Sequence, residues 1–118
     1  MMIPKAPKPV RSFRHLRFIR ELPCAVCWKT GCEAAHVRYA DLGWDKPHTP
    51  MARLPGDNWT VPLCAEHHRT GPDAQHRTNE REWWIRQGID PLRLSRALWN
   101  ADCDLEAGWQ LIRDARLI

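Results

Sequence analysis

The sequence has no run of about 18 apolar residues, the length a membrane-crossing helix needs. It also has no signal-like segment: the basic, proline-rich start "MMIPKAPKPV" is followed by no apolar stretch. These two absences lead to the expectation of a cytoplasmic protein with no membrane partner. Acid is missing from the first 20 residues, which carry Lys5, Lys8, Arg11, Arg14, Arg17 and Arg20. No internal repeat is visible, which argues against a solenoid or an array.

The chain has 118 residues and ten prolines, enough for one domain with a modest core. A metal staple would help a core of that size. The five cysteines are an odd count. In a reducing compartment, clustered cysteines serve as metal ligands more often than as disulfides. The net charge of +4 is unevenly spread: residues 21–90 come to minus two and the last 28 to zero. The N-terminal arm is therefore a concentrated positive site suited to phosphates through counterion release, or else a solvated tail that aids solubility.

Residues 1–12 are expected to form a basic, flexible arm, 13–90 the core, and 91–118 a helical extension. In "SFRHLRFIREL", Phe13, Leu16 and Ile19 recur at three-residue spacing, as do Arg14, Arg17 and Arg20. That predicts a short helix with an apolar and a basic face, with a strand as the alternative. "EAAHVRYA" and "WTVPL" read as short strands, and "DLGWDKPHTPMARLPGDN" between them as a long loop. "CAEHHRT" begins a helical turn that "GPD" interrupts. "AQHRTNEREWWIRQG" reads as one helix stopped by Gly88. Asp90 and Pro91 open the next helix as N-cap and first residue, and Asp102 or Asp104 caps the last.

Cys24-x-x-Cys27 precedes the first strand and Cys64-x-x-His67 follows the second. Two ligands three positions apart on a tight turn can face one centre, and a hairpin brings two such turns together. The pattern predicts a structural zinc with three thiolates and one imidazole. Cys32, five residues past Cys27, is read as a bystander, the alternatives being replacement of a ligand or a fifth. Cys103, between the last two helices, is read as a plain thiol. If His67 binds the zinc, His68 points elsewhere, because helical neighbours are about 100° apart. His68 is then free for a second site. His36 ends the first strand, and His76 can return toward His68 because Gly71-Pro72 breaks the helix. The bland alternative is three surface histidines.

Together, "PCAVC", "EAAHVRYA" and "DNWTVPLCAEHH" resemble the HNH endonucleases, the ββα-metal nuclease fold. More narrowly they resemble small phage and prophage members with a "PLCxxHHxxxH…W" signature, a group that includes a RecA-dependent nuclease. The resemblance spans roughly residues 20–88. It implies an α+β fold: a small ββα-metal core with a structural zinc and flanking helices. It implies a phage or prophage enzyme that hydrolyses phosphodiester bonds in DNA, with a recombination or replication protein as a candidate partner. His36 takes the position of the general base, and His68 that of the last motif histidine. His76 matches a further ligand of the catalytic ion, which would be Mg2+, Mn2+, Zn2+ or Ni2+. The motif's middle asparagine falls near Asn58, one residue off register, so that Trp59 takes the slot and Asp57 or Asn58 braces the loop. The chain departs from the family at Ala35, where histidine or aspartate commonly helps to bind the catalytic ion. Glu33, Asp57 or a water would have to fill that place, or the ion has fewer protein ligands.

A neutral imidazole, with an ordinary pKa of ~6.5, can take a proton from water near pH 7. Arg14 and Arg17 of the basic face, with Arg38, Arg69 and Arg77, are candidate nucleic-acid contacts; solvated surface arginines are the alternative. Trp83, Trp84, Trp99 and Trp109 are expected to pack the outer helices. Trp44, in the long loop, is the aromatic best placed to stack on an unpaired base. The alternative to a nuclease is a zinc-stapled nucleic-acid-binding module that has lost catalysis. A zinc-ribbon-like interaction domain would leave His36, His68 and His76 unexplained.

Overall fold

Ser12 starts the first helix by accepting from the backbone N–H of His15 through its hydroxyl at 3.1 Å, an N-cap that opens α1 (Phe13–Arg20). The computed structural model describes residues 8–47 and 54–116. Residues 1–7 of the flexible arm expected for 1–12, with Lys5, lie outside them, as do residues 48–53 of the long loop and residues 117–118. Within α1 the apolar face differs from the three-residue spacing read above. His15, Phe18 and Ile19 are buried, joined by Leu22 just beyond the helix, while Phe13 is 92% exposed. Positions i, i+3, i+4 and i+7 are the stripe that a 3.6-residue period turns inward.

The two strands are β1 (Glu33–His36) and β2 (Thr60–Leu63), antiparallel, in a register that pairs Glu33 with Leu63 and His36 with Thr60. Pro62 sits opposite Ala34. Its carbonyl accepts from Ala25 N–H at 2.9 Å on the side away from β1, so its missing N–H costs the ladder nothing. Three more helices follow: α2 (Glu80–Gln87), α3 (Pro91–Asn100) and α4 (Leu105–Arg113). The helix expected to begin at Ala74 is split. Residues Gln75–Arg77 make a separate 3-10 turn, Thr78 is extended, and Asn79 caps α2 by accepting from Glu82 N–H at 3.1 Å. An asparagine side chain that satisfies a free N–H favours a new helix start over a continuous helix. Gly88 ends α2 at φ 69°, Asp90 caps α3 with Pro91 at its first turn, and Asp104 caps α4.

The result is mixed helix and strand, an α+β arrangement in which α1 packs across both strands, α3 packs on β2, and α4 packs on α3. Gly108 lets α4 approach α1: a Cβ there would lie 2.7 Å from Leu22 and 2.9 Å from Phe18. One hydrophobic cluster runs from Phe18 through Val37, Val61 and Trp83 to Leu98 and Ile112. Each such side chain contributes roughly 1.5–3 kcal/mol on burial. Trp83 and Trp84 are buried edge to face, 4.8 Å apart. Trp99 packs on His15 at 4.7 Å, and Trp109 is partly exposed. Trp44, the stacking candidate, is half-buried against the core, with the Arg96 guanidinium 5.5 Å from its ring and donating to its carbonyl at 2.9 Å. Among the described residues, no helix is long and apolar enough to cross a membrane.

Candidate metal centre and histidine sites

Cys24 and Cys27 stand on a tight turn that the backbone closes locally. Cys24 N–H donates to Lys29 C=O at 2.8 Å, and Trp28 N–H donates to Cys24 C=O at 2.9 Å, with Trp28 left-handed at φ 64°. The Ala25 N–H to Pro62 C=O bond fastens this turn to β2. After β2, Cys64 is followed by a π-helical turn, Glu66–Thr70, which carries His67 and His68. Its closing bond, from Gly71 N–H to Glu66 C=O at 2.9 Å, needs a glycine, since a Cβ there would lie 2.7 Å from that carbonyl oxygen.

These turns bring Cys24, Cys27, Cys64 and His67 together, with donor atoms within 4.8 Å of one another, and the group could hold a metal ion. Sγ of Cys27 and Sγ of Cys64 are 3.8 Å apart, and Nδ1 of His67 lies 3.8 Å from Cys24 Sγ and 3.2 Å from Cys64 Sγ. A zinc–sulfur bond of about 2.3 Å implies tetrahedral edges of about 3.8 Å between sulfurs and slightly less to nitrogen. The donor set suits that ion, with the Cys27–Cys64 edge at this length and no edge longer than 4.8 Å. The Cys32 thiol and nearby backbone amides stabilise Cys24 as a thiolate, well below the usual thiol range. Cys27 is pushed up to about 11, first by burial and also by the neighbouring sulfurs, an opposition that a central cation would relieve. Cys32 stays outside the four donors, buried, with its sulfur 3.2 Å from Lys29 C=O. Cys103 is a half-buried free thiol.

The two adjacent histidines diverge. His67 faces the sulfurs, whereas Nδ1 of His68 lies 2.8 Å from Glu33 Oε1. Glu33 also receives two parallel bonds from Arg69, and these, with His68, hold its carboxyl down at about 2. The His76 ring packs edge to face on His68 at 4.3 Å, its pKa lowered by burial and then by the charge on His68.

His36 stands apart from this pair. Its Nε2 lies 2.9 Å from Asp57 Oδ1, in a pair only 11% and 6% exposed. Burial lowers the His36 pKa against the upward pull of Asp57. Asp57 also accepts from Ser12 N–H at 2.8 Å and pairs with Arg11 at 3.4 Å, which docks the end of the arm beside the loop. Among the described residues, His36, His68 and His76 form no common group of metal donors. Each of the first two has its own carboxylate instead. Of the two bracing residues considered above, Asp57 is the one at His36. Ala35, beside it, is fully buried opposite Val61.

Arg38 follows His36 by two residues, and its charge is a lesser influence that lowers the pKa of both His36 and His76. It lines a cavity of about 360 Å³ with Gln75, His76, Thr78 and Glu80. Glu80 accepts from Arg38 N–H at 2.7 Å and from the Gln75 amide at 2.8 Å, and burial raises its pKa. Gln75 and Glu80 carried no signal in the sequence, because only the folded chain brings them to Arg38. Of the other candidate contacts, Arg14 pairs with Asp102 at 3.1 Å, Arg17 with Glu21 at 3.6 Å and Arg69 with Glu33 at 2.7 Å. Arg77 is exposed at the end of its turn.

No family model matches this sequence, and no curated protein or solved structure matches it.

Proposed function

We propose that this chain is a metal-dependent endonuclease of the HNH type that hydrolyses phosphodiester bonds in DNA. The observation that carries the reading is the pairing of two histidines, each with its own carboxylate, on the hairpin that the metal cluster ties: His36 with Asp57 at 2.9 Å and His68 with Glu33 at 2.8 Å. A carboxylate on one ring nitrogen fixes the tautomer and leaves the other nitrogen for chemistry.

At His36, Nε2–H donates to Asp57, and no hydrogen bond among the described residues engages Nδ1. Burial keeps the ring neutral, so Nδ1 can accept a proton from an attacking water, and Asp57 then stabilises the imidazolium. Cys24, Cys27, Cys64 and His67 would hold a structural zinc that ties the knuckle to the end of β2. His68 and His76 would hold the catalytic ion, Glu33 orienting His68 from behind. Two imidazoles suit a divalent transition ion, which would act as a Lewis acid toward the phosphate and the leaving oxygen. Arg38, which lines the cavity with His76, would hold the phosphate there. A phage or prophage origin, and work beside a recombination or replication protein, belong to the same reading.

The test is plasmid nicking with added magnesium, manganese, zinc or nickel, native chain against His36→Ala. Nicking that depends on the ion and falls with the substitution is expected. No nicking with any ion would sink the proposal, and nicking indifferent to His36→Ala would remove the base assignment.

Ala35 favours a second reading, a zinc-stapled nucleic-acid-binding module without catalysis. It is fully buried, and no third donor joins His68 and His76 among the described residues. That reading requires salt-dependent DNA binding without cleavage under every ion, and absence of binding at low salt would dismiss it.

A further inference from the structure

A second cavity, of about 350 Å³, opens between the end of β1 and the α2–α3 junction, with Tyr39, Arg81, Trp84, Ile89 and Asp90 in its lining. Its walls are largely apolar, and its polar features are few. The Arg81 guanidinium lies 4.6 Å from the Tyr39 ring centroid and is tethered to Ala40 C=O at 3.3 Å. Trp84 is 1% exposed, with its indole N–H sealed from solvent and without a hydrogen-bond partner among the described residues. Ile85, on the rim, is 70% exposed.

Position gives these features a common meaning. Arg38 and Glu80 line the cavity beside His76, and the next residue of each, Tyr39 and Arg81, lines this one. The two cavities are therefore neighbours along the same two backbone segments.

We propose that this second cavity receives an unpaired nucleobase of the DNA strand whose backbone passes Arg38. The proposal rests on the nucleic-acid reading above and adds a substrate class to it: DNA with an unpaired or extruded base. A guanidinium held over an aromatic ring makes a planar cationic platform, and every base has a π-face to lay on it. An aliphatic protein side chain could fill the volume, but it would offer the Arg81 guanidinium no π-face. The adjoining phosphate supplies the negative charge that Arg38 and Arg81 face.

The test uses the full zinc-loaded chain and two duplexes, one with a single bulged 2-aminopurine and one with the same base paired. The bulged duplex should bind about 10-fold more tightly, with its fluorescence quenched. Arg81→Ala and Tyr39→Leu, which keeps apolar bulk, should each erase most of that preference and leave paired-duplex affinity unchanged. Equal binding of the two duplexes overturns the proposal, as does a preference that survives both substitutions. A tryptophan-containing peptide that shifts the Trp84 indole N–H resonance, where 2-aminopurine does not, would make the cavity a protein-docking site and also overturn it. The assay needs no cleavage, so the two readings fail separately. Cleavage without a bulge preference defeats the base pocket alone, and bulge binding without cleavage defeats the nuclease alone.

Discussion

His36 Nε2 and Asp57 Oδ1 stand 2.9 Å apart although 21 residues separate them in sequence. The same carboxylate receives the Ser12 N–H at 2.8 Å, so one buried acid joins the end of β1, the loop before β2 and the start of α1.

Asp57→Asn removes the charge and keeps the shape. It should lower kcat by about 10²-fold or more, within the range of about 10²–10⁴ that a positioned base contributes. Because burial places the folded His36 pKa below its ordinary value, the neutral base persists to lower pH than in free imidazole. The acid limb of kcat/KM should therefore lie below ~6.5 in the native chain. It should fall further in Asp57→Asn, since Asp57 pulls the value up. The sign for stability follows: the His36 contribution is complete above the unfolded value near ~6.5 and is lost as pH falls through the lower folded value. An acid limb above that point, measured by initial rates across pH, would contradict the assignment.

Removing zinc should unfold the chain. Structural zinc sites of this kind bind with about 10–16 kcal/mol at pH 7, against a total stability of about 5–15 kcal/mol for a domain. A strong chelator should abolish the near-ultraviolet circular dichroism of the buried tryptophans, and readdition should restore it. Elemental analysis should show the staple's zinc lost in Cys64→Ala and kept in Cys32→Ser, because Cys32 lies outside the four donors.

Ala35→Asp, which places an acid next to His36 in sequence, should not raise activity. The side chain at 35 faces the core with no exposure, so a carboxylate there would be buried without a partner. A loss of about 3 kcal/mol or more is expected, read as a fall in the urea midpoint. A stable and more active variant would show that position 35 can reach the site.

The arginines should separate by salt dependence. Arg69 is bound by two parallel bonds to Glu33, whereas Arg38 and Arg77 make no side-chain ion pair among the described residues. Arg38→Ala and Arg77→Ala should each reduce the slope of log K against log salt for DNA binding by about 0.9. Arg69→Ala should leave the slope nearly unchanged and act instead through Glu33 and His68. A full unit lost on removing Arg69 would place it on a phosphate.

What the sequence determined by itself is local. Cys24 and Cys27, or Cys64 and His67, three positions apart on a turn, converge on one centre because a few backbone dihedrals orient both side chains. Gly88 as a stop and Asp90 with Pro91 as a start are equally short-range, since a cap needs only its own first or last turn. Local reading failed within a few residues at Asn79, where a cap outcompeted the continuation of a helix. The tertiary structure decided everything set by distant contacts. The phase of α1, with His15 inward and Phe13 outward, depends on the sheet and on the close approach that Gly108 allows. The strand register and the loop path gave Asp57 to His36 and Glu33 to His68, and set the three histidines in two places rather than one. Periodicity reports which residues share a face over one or two turns. It carries no information about which remote carboxylate will meet that face, because partner choice is made by chain closure and packing.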